Sequence, residues 1–256
     1  MFRRFAPLFA APCAALLAAT AAGFDEWKSG IVWQEPAVVA PGETAADPPS
    51  DAIVLFGGTD LSAFNGGQRW EVQHGIATAR GGSISTKRKF GDVQVHLEFR
   101  SPAEVEGRGQ GRGNSGLYLM NRYEVQILDS YDNASSFDTQ AAALYKQSPP
   151  LVNASRPPGT WQTLDVLFEA PRFDENGTLV RPAYATVLHN GVAVQVRQQL
   201  RGATARNPRL GGRRHLYDAH PLKESFNLQW HNDVVSFRNV WARDLNLDRG
   251  ETYPGE

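Results

Sequence analysis

Hydrophobic and polar residues alternate with a period of two along most of the chain from residue 53 onward. Alternation of this kind is typical of strands with one buried and one exposed side, and Gly, Pro, Asn and Asp bound most of the runs. No long amphipathic helix is indicated, and at most a single helical turn is predicted at 139–145. Many short strands with frequent turns predict an all-β sandwich or jelly roll. The predicted strands are 70–77, 82–86, 93–100, 115–120, 123–128, 162–169, 183–188, 192–198, 226–231 and 234–243.

Two short polar segments are predicted to reverse the chain. Asn190-Gly191 predicts a tight hairpin, because both central residues of such a turn adopt positive φ. Residues 231–233 are interpreted as a second reversal, which would make the strands 226–231 and 234–243 another hairpin. That hairpin would present the polar side chains of both strands together.

The N-terminus carries the pattern of an export signal. A basic pair, Arg3-Arg4, precedes an apolar, alanine-rich run that ends in small residues. Residues 1–22 are therefore interpreted as a secretory signal peptide. A transmembrane anchor is the alternative, but prolines interrupt the run and acidic residues follow it. The single cysteine, Cys13, lies in this segment, so a bacterial protein exported to the periplasm or the exterior, with no membrane span once mature, is predicted.

Composition divides the remaining chain into an arm, one domain and a tail. Residues 23–52 are rich in Pro, Ala, Gly and acidic residues, which predicts an extended N-terminal arm or linker. Residues 53–247 are long enough to form one β-sandwich domain with a sizeable core. Residues 248–256 are interpreted as a tail.

Charge and motif content exclude several function classes. The formal net charge of −1 favours neither nucleic acid nor an anionic membrane as a partner. The sequence contains no phosphate-binding loop, no G-x-S-x-G and no H-E-x-x-H. Any chemistry must therefore come from side chains that the fold brings together.

The strand predicted at 123–128 has an unusually polar face. Val125 and Ile127 alternate with Glu124 and Gln126, so the last two share a face. Glu and Gln side chains are disfavoured in a hydrophobic core, so this face is interpreted as an open sheet surface that binds hydroxyl groups. The alternative is that Glu124 is an ordinary solvated glutamate. Glu124 and Gln126 are candidate functional residues.

Two neighbouring segments supply further candidates. On the strand 226–231, Gln229 and His231 share a polar face with Asn227, and the predicted hairpin would bring Arg238 beside them. Ahead of the strand at 115, Asn114 is either a ligand contact or a turn former. Within that strand, Gly116 either permits close approach of a ligand or marks a bulge.

Several sequence segments carry a resemblance to a known family. They are, in chain order, 54–62 (VLFGGTDLS), 114–116 (NSG), 123–129 (YEVQILD), 159–162 (GTWQ), 189–192 (HNGV), 228–231 (LQWH) and 237–240 (FRNV). With them the chain resembles the 3-keto-disaccharide hydrolase family over roughly residues 53–245. Departures are mild: Gly57 stands where Asn or Asp is common, and Gln162 where Asn is common.

The resemblance implies a concanavalin A-like jelly-roll sandwich of two antiparallel sheets and cleavage of glycosides whose sugar carries a ketone at C3. The ketone acidifies the proton on C2, so acid/base β-elimination followed by addition of water is implied. Glu124 and His231 are the implied acid/base pair, without a division of roles. Gln126 and Arg238 would stabilise the enolate, or a divalent metal ion bound by Glu124 and His231 would replace Arg238. Asn114, Tyr118 and Gln229 would bind substrate.

The implied partners are a carbohydrate substrate and an oxidoreductase that oxidises the sugar at C3. A non-catalytic carbohydrate-binding module is the main alternative, with an aromatic platform drawn from Tyr118, Trp161 and Tyr217. A retaining glycosidase of the laminarinase kind would need two carboxylates about 5 Å apart. The strand at 123–128 offers Glu124 alone, which disfavours that reading.

Overall fold

A computed structural model describes residues 29–204 and 215–247. The predicted signal peptide at 1–22 and the predicted tail at 248–256 lie outside these residues. The strands are β1 Ile53–Phe56, β2 Phe64–Asn65, β3 Glu71–Gln73, β4 Ile76–Thr78, β5 Ile84–Thr86, β6 Val93–Arg100, β7 Ser115–Leu119, β8 Tyr123–Ile127, β9 Gln162–Glu169, β10 Arg172–Phe173, β11 Leu179–Arg181, β12 Tyr184–His189, β13 Val192–Gln199, β14 Asn227–Leu228 and β15 Ser236–Asp244. Short 3₁₀ turns lie at Gly67–Arg69, Gly109–Gly111 and Phe137–Thr139.

The strands form two antiparallel sheets and a small ribbon. Sheet A has the order β13-β12-β9-β6-β15-β4-β3, with β1 also paired to β15. Sheet B has the order β2-β5-β14-β7-β8, and β10 pairs with β11 as the ribbon. The predicted concanavalin A-like sandwich of two antiparallel sheets is confirmed. No helix in the described ranges is long and apolar enough to cross a membrane.

The core lies between the inner faces of the two sheets. Sheet B contributes Ile84, Leu117 and Val125, and sheet A contributes residues such as Leu97 and Val166, all 1 % exposed or less. Fully burying an aliphatic side chain of this size contributes roughly 1.5–3 kcal/mol. Because side chains alternate along a strand, the same burial turns the intervening residues of sheet B outward, toward the face described below.

Two local predictions from the sequence are wrong. The run 70–77 is not one strand but the hairpin β3–β4, because His74 and Gly75 both take positive φ (51° and 77°), as a tight reversed turn requires. Residues 231–233 do not close a hairpin either. They carry the chain from β14 in sheet B across to β15 in sheet A.

Part of the predicted N-terminal arm belongs to the compact unit that spans 36–248. The carbonyl of Ala46 accepts hydrogen bonds from Asn239 Nδ2 (2.7 Å) and Trp241 Nε1 (2.9 Å). Arg243 pairs with the Asp51 carboxylate through Nη2 at 2.6 Å. These bonds hold residues 46–51 against β15. The described residues 29–35 fall in a separate unit, in which Ile31 N donates to Ser29 Oγ at 3.2 Å.

Candidate active site

The outer face of sheet B carries two neighbouring rows of polar side chains, which we call the polar face. The register places Asn65 beside Ser85, Ser85 beside Asn227, Asn227 beside Tyr118, and Tyr118 beside Glu124. Directly paired residues of antiparallel strands point to the same side, so these five form a single row. The second row contains Gln126 and Gly116, which are paired, and Gln229, whose N–H donates to the Gly116 carbonyl at 2.9 Å.

Glu124 lies at the closed end of its row and is only 3 % exposed. The free edge of β8 is covered, because Tyr145 N donates to the Glu124 carbonyl (3.1 Å) and Gln126 N donates to the Ala143 carbonyl (3.0 Å). The backbone N–H of Glu124 is capped by Thr204 Oγ1 at 3.0 Å. Main-chain bonds therefore hold the Glu124 backbone rigidly while its carboxyl stands on the polar face.

Burial raises the pKa of the Glu124 carboxyl from its usual 4.5 to about 7, and a hydrogen bond from Tyr118 offsets part of that increase. Desolvation disfavours the charged carboxylate, which explains the direction. A carboxyl with this pKa is substantially ionised at neutral pH and remains basic enough to accept a proton. This combination suits a general base.

Tyr118 is the direct cross-strand partner of Glu124. Burial and the neighbouring Glu124 charge raise the pKa of the Tyr118 phenol far above its usual range, so the hydroxyl stays protonated. That hydroxyl donates to Glu124 and accepts a hydrogen bond from Gln229 Nε2 at 3.3 Å. Tyr118 is thus a fixed hydrogen-bond donor beside the carboxylate.

Gly116 creates the space that the Glu124 carboxyl occupies. A Cβ at this position would stand 2.8 Å from Glu124 Oε1 and 3.1 Å from Tyr118 Cε2, both closer than van der Waals contact allows. Of the two alternatives drawn from the sequence, close approach above the glycine fits this geometry. Here the approaching group is the protein's own carboxyl.

We expect Gly116→Ala to displace the Glu124 carboxyl and to lower kcat/KM by about 10- to 100-fold on any substrate that the protein turns over. Small misplacements of catalytic groups have effects of this size. Gly116 has an ordinary strand backbone, so alanine adds no backbone strain, and the displacement of Glu124 and Tyr118 should cost about 1–3 kcal/mol of stability. Steady-state kinetics and thermal unfolding would check both parts. An unchanged kcat/KM would show that the position of the carboxyl above Gly116 is unimportant.

Gln126 supports the carboxyl from the same strand. Its amide lies 3.2 Å from Glu124 Oε1, 2.9 Å from the Ser115 carbonyl and 3.0 Å from Gln110 Oε1. The orientation in which its NH₂ group donates to Glu124 and Ser115 satisfies both acceptors. Asn114 holds the adjoining 3₁₀ turn, because its Nδ2 donates to the Gln110 carbonyl at 2.7 Å. Asn114 therefore acts as a loop anchor in this structure.

Two acceptor atoms on the polar face are buried and have no hydrogen-bond partner in the described part of the chain. They are Asn227 Oδ1 and Gln229 Oε1. A buried carbonyl that lacks a donor costs about 1–3 kcal/mol. The two oxygens lie two residues apart, with Asn227 in β14 and Gln229 directly after it.

The structure shows no hydrogen bond or ion pair from His231 or Arg238 to the Glu124 carboxyl. His231 follows Gln229 by two residues, is exposed, and makes no hydrogen bond to any residue that the structure describes. Arg238 lies on the outer face of sheet A, where its Nε donates to Glu98 Oε2 at 2.7 Å and its guanidinium covers the Trp161 ring at 4.3 Å. The expectation that one hairpin presents Gln229, His231 and Arg238 together is wrong, because β14 and β15 belong to different sheets.

The donor set of the site does not fit a divalent metal ion. Within 29–204 and 215–247, no group of three His, Cys, Asp or Glu side chains is arranged to hold one. Glu124 and His231, the ligands suggested by the sequence, belong to no such group. No step of the proposed reaction is therefore assigned to a metal.

The sequence did not single out the outer part of the row. Asn65 and Ser85 were not among the candidates, because β2 is only two residues long and gives no visible alternation. Ser85 had a usable signal, since it alternates with the buried Ile84 and Thr86 in a predicted strand. Only the register of sheet B shows that both continue the row of Glu124.

Comparisons with solved structures point to carbohydrate-active proteins. A Parabacteroides distasonis protein described as a "putative glycosyl hydrolase" has 39 % sequence identity and a TM-score of 0.77, covering 83 % of this chain and 93 % of its own. Two further proteins of that organism, with the same description, have 22 % and 19 % identity and TM-scores of 0.55. These two cover 76 % and 77 % of this chain, and 99 % and 94 % of their own, and show the fold alone.

The family comparison covers most of the sandwich. No curated protein matches the chain. The model of the 3-keto-alpha-glucoside-1,2-lyase-like domain matches residues 51–243, a range that contains all fifteen strands but for the last residue of β15. With the glycosyl hydrolase neighbours, this match supports a carbohydrate-active enzyme. The chain belongs to the family of 3-keto-alpha-glucoside-1,2-lyase-like domains.

Proposed function

We propose that this protein cleaves glycosides of 3-keto sugars by β-elimination, with Glu124 as the base that removes the proton from C2. The observation that carries the proposal is the Glu124 carboxyl, which is buried on a polar sheet face and has a pKa raised to about 7. A base of this strength matches a C–H bond acidified by a neighbouring ketone. The family match supports a 3-keto sugar as the substrate class.

The elimination moves one proton and one leaving group. The Glu124 carboxylate takes the C2 proton, and the electron pair of that bond forms an enolate with its charge on the C3 oxygen. Collapse of the enolate makes the C1–C2 double bond and breaks the bond from C1 to the glycosidic oxygen. The departing oxygen receives a proton, for which protonated Glu124 is a source. Addition of water to the resulting enone gives net hydrolysis.

Neighbouring groups orient the base. Tyr118 remains protonated, so it acts as a hydrogen-bond donor and not as a base. Its bond to Glu124 fixes the direction of the carboxylate, and Gln229 Nε2 fixes the phenol. The Gln126 amide offers a second donor beside Glu124. Both donors bond the Glu124 carboxylate, so they hold the base in position for the C2 proton. The role of His231 as an acid stays a prediction.

The polar face also bears on the alternatives drawn from the sequence. In the described residues, Glu124 is the single carboxylate in the two rows, whereas a retaining glycosidase requires a pair. The aromatic platform expected of a binding module is not assembled. Tyr118 lies on the polar face, Trp161 lies against Arg238 of sheet A, and Tyr217 donates to the Leu200 carbonyl.

The protein's setting forms part of the proposal. A 3-keto sugar arises when a C3 alcohol is oxidised, so an oxidoreductase that acts on carbohydrate must supply the substrate. The N-terminal sequence supports export to the periplasm or the exterior of a bacterial cell. Both enzymes would then act in consecutive steps on glycosides in the periplasm or outside the cell.

The decisive assay is incubation of the purified mature protein with a 3-keto-glucoside that carries a chromogenic aglycone. We expect release of the aglycone from the ketone and none from the matched unoxidised glucoside, because the C2 proton is acidic only beside the ketone. A parallel reaction with EDTA would show whether a metal ion is required. Binding of either compound without release, over several aglycones and both anomers, would replace the proposal by a carbohydrate-binding module.

A further inference from the structure

We propose that the row from Tyr118 to Asn65 is an aglycone-binding track, which takes the sugar residues beyond the bond that is cleaved. The inference rests on the proposed function, since it uses Glu124 to mark the position of the reacting sugar. Its ligand class is a neutral, hydroxyl-rich glycosyl chain. The enzyme would accordingly remove a terminal 3-keto sugar from an oligosaccharide.

The row crosses all five strands of sheet B without interruption. Four strand spacings of about 4.8 Å separate Glu124 from Asn65, which gives a track of roughly 19 Å. One strand spacing is close to the advance of one sugar residue along an extended glycan. With the reacting sugar at Glu124 and the cleaved bond at Tyr118, the side chains are spaced so that three successive aglycone residues meet Asn227, Ser85 and Asn65.

Exposure along the row gives the track a direction. Glu124 is buried, Tyr118, Asn227 and Ser85 are half-buried, and Asn65 is exposed. Beyond Glu124 the backbone of Ala143 and Tyr145 pairs with β8. The sugar whose C2 meets Glu124 therefore occupies the closed end. Its substituent at C1 must point along the row toward Asn65, where the face opens.

The unpartnered acceptors lie where the first aglycone residues would pass. Asn227 Oδ1 lies one strand beyond Tyr118, and Gln229 Oε1 lies in the adjacent row. Buried carbonyl oxygens without donors are uncommon in native proteins. Hydroxyl groups of a sugar would supply the donors once the two amides turn toward the ligand, because both oxygens are shielded in the unbound protein. An alkyl or aromatic aglycone would leave both atoms unsatisfied.

The test compares 3-keto-glucosides whose aglycone is methyl, one glucosyl residue or three glucosyl residues. With the wild-type protein, we expect kcat/KM to rise about fivefold for each net hydrogen bond gained, since one such bond contributes about 1 kcal/mol. Asn227→Ala should reduce the gain from the first glucosyl residue. The double variant Asn65→Ala, Ser85→Ala should reduce the gain between one and three residues.

Asn176→Ala is the matched control, because Asn176 is exposed in the turn of the β10–β11 ribbon. It should keep the wild-type dependence on aglycone length. Thermal unfolding of every variant separates a folding defect from a binding effect. Equal kcat/KM for all three aglycones in the wild-type protein, or equal losses in Asn176→Ala and the track variants, would overturn the inference while leaving the proposed function intact. Failure to cleave any 3-keto-glucoside would instead remove the proposed function, and the track with it.

Discussion

Replacing Glu124 by glutamine is expected to lower kcat on a 3-keto-glucoside by about 10²- to 10⁴-fold, the usual contribution of a positioned general base. Glutamine has nearly the same shape and can still accept the Tyr118 hydrogen bond, but it cannot take the C2 proton. The protein should remain folded, because the amide fills the same volume as the carboxyl, although only its oxygen can accept a hydrogen bond from Tyr118 or Gln126. Steady-state kinetics on purified protein would check the loss.

The pH dependence of the wild-type enzyme provides a second readout of the same role. Because the base must be ionised, kcat/KM should fall as the pH decreases through about 7, the pKa of Glu124. In Glu124→Gln the residual activity should lose this acid limb. A general loss of structure would instead reduce kcat/KM at every pH and would leave the fall of kcat/KM below pH 7 in place.

Glu98→Gln is the matched control for the loss of a buried carboxylate. Glu98 is 8 % exposed and paired with Arg238, but it lies on the outer face of sheet A. The Glu98 variant should keep its catalytic rate at temperatures where it is folded. If Glu124→Gln retains more than a tenth of the wild-type kcat, or if Glu98→Gln loses as much, Glu124 is not the base.

The sequence predicts the site strand well because local alternation separates its polar side chains from its apolar ones, although both faces of β8 are buried. Glu124 and Gln126 alternate with Val125 and Ile127, and the structure places the two sets on opposite faces of β8. The closeness of Tyr118 to Glu124 was not predictable in this way. It depends on the register of β7 against β8, a tertiary property that no local pattern encodes.

The misplaced arginine has a related cause. A short polar segment such as 231–233 can close a hairpin within one sheet or carry the chain across to the other. Both outcomes preserve the alternation of Arg238 with Phe237, so the sequence pattern is the same. The choice follows from packing, since Phe237 stacks on Trp70 at 5.3 Å between the sheets and β15 pairs with β6. Arg238 is thereby directed to the outer face of sheet A.

The Glu124→Gln variant is also expected to be more stable than the wild-type protein at alkaline pH. The folded state raises the pKa of Glu124 from 4.5 to about 7, so between these values it binds a proton that the unfolded chain has released. Stability therefore falls as the pH rises through this window. Above it the full cost is present, roughly 3 kcal/mol for a shift of this size. Glutamine, which never ionises, avoids that cost.

The measurement is the free energy of unfolding of both proteins from pH 5 to pH 8.5. His189 must be considered, because burial lowers the pKa of its imidazole to about 4 and makes the wild-type protein lose stability as the pH decreases below 6.5. That contribution is common to both proteins and cancels in their difference. The difference should be small at pH 5 and increase to roughly 3 kcal/mol at pH 8.5, or roughly 6–12 °C in Tm for a domain of this size.

A Glu124→Gln variant that is more stable but inactive would show that the ionised Glu124 carboxyl lowers the stability of the folded protein. Such a trade-off between stability and activity is common at active sites. The direction of the effect is diagnostic. A carboxylate held by attractive partners would have a lowered pKa, and its replacement would destabilise the protein most at high pH. A difference between the two proteins that does not change with pH would mean that Glu124 titrates normally, and it would remove the basis for its assignment as a neutral-pH base.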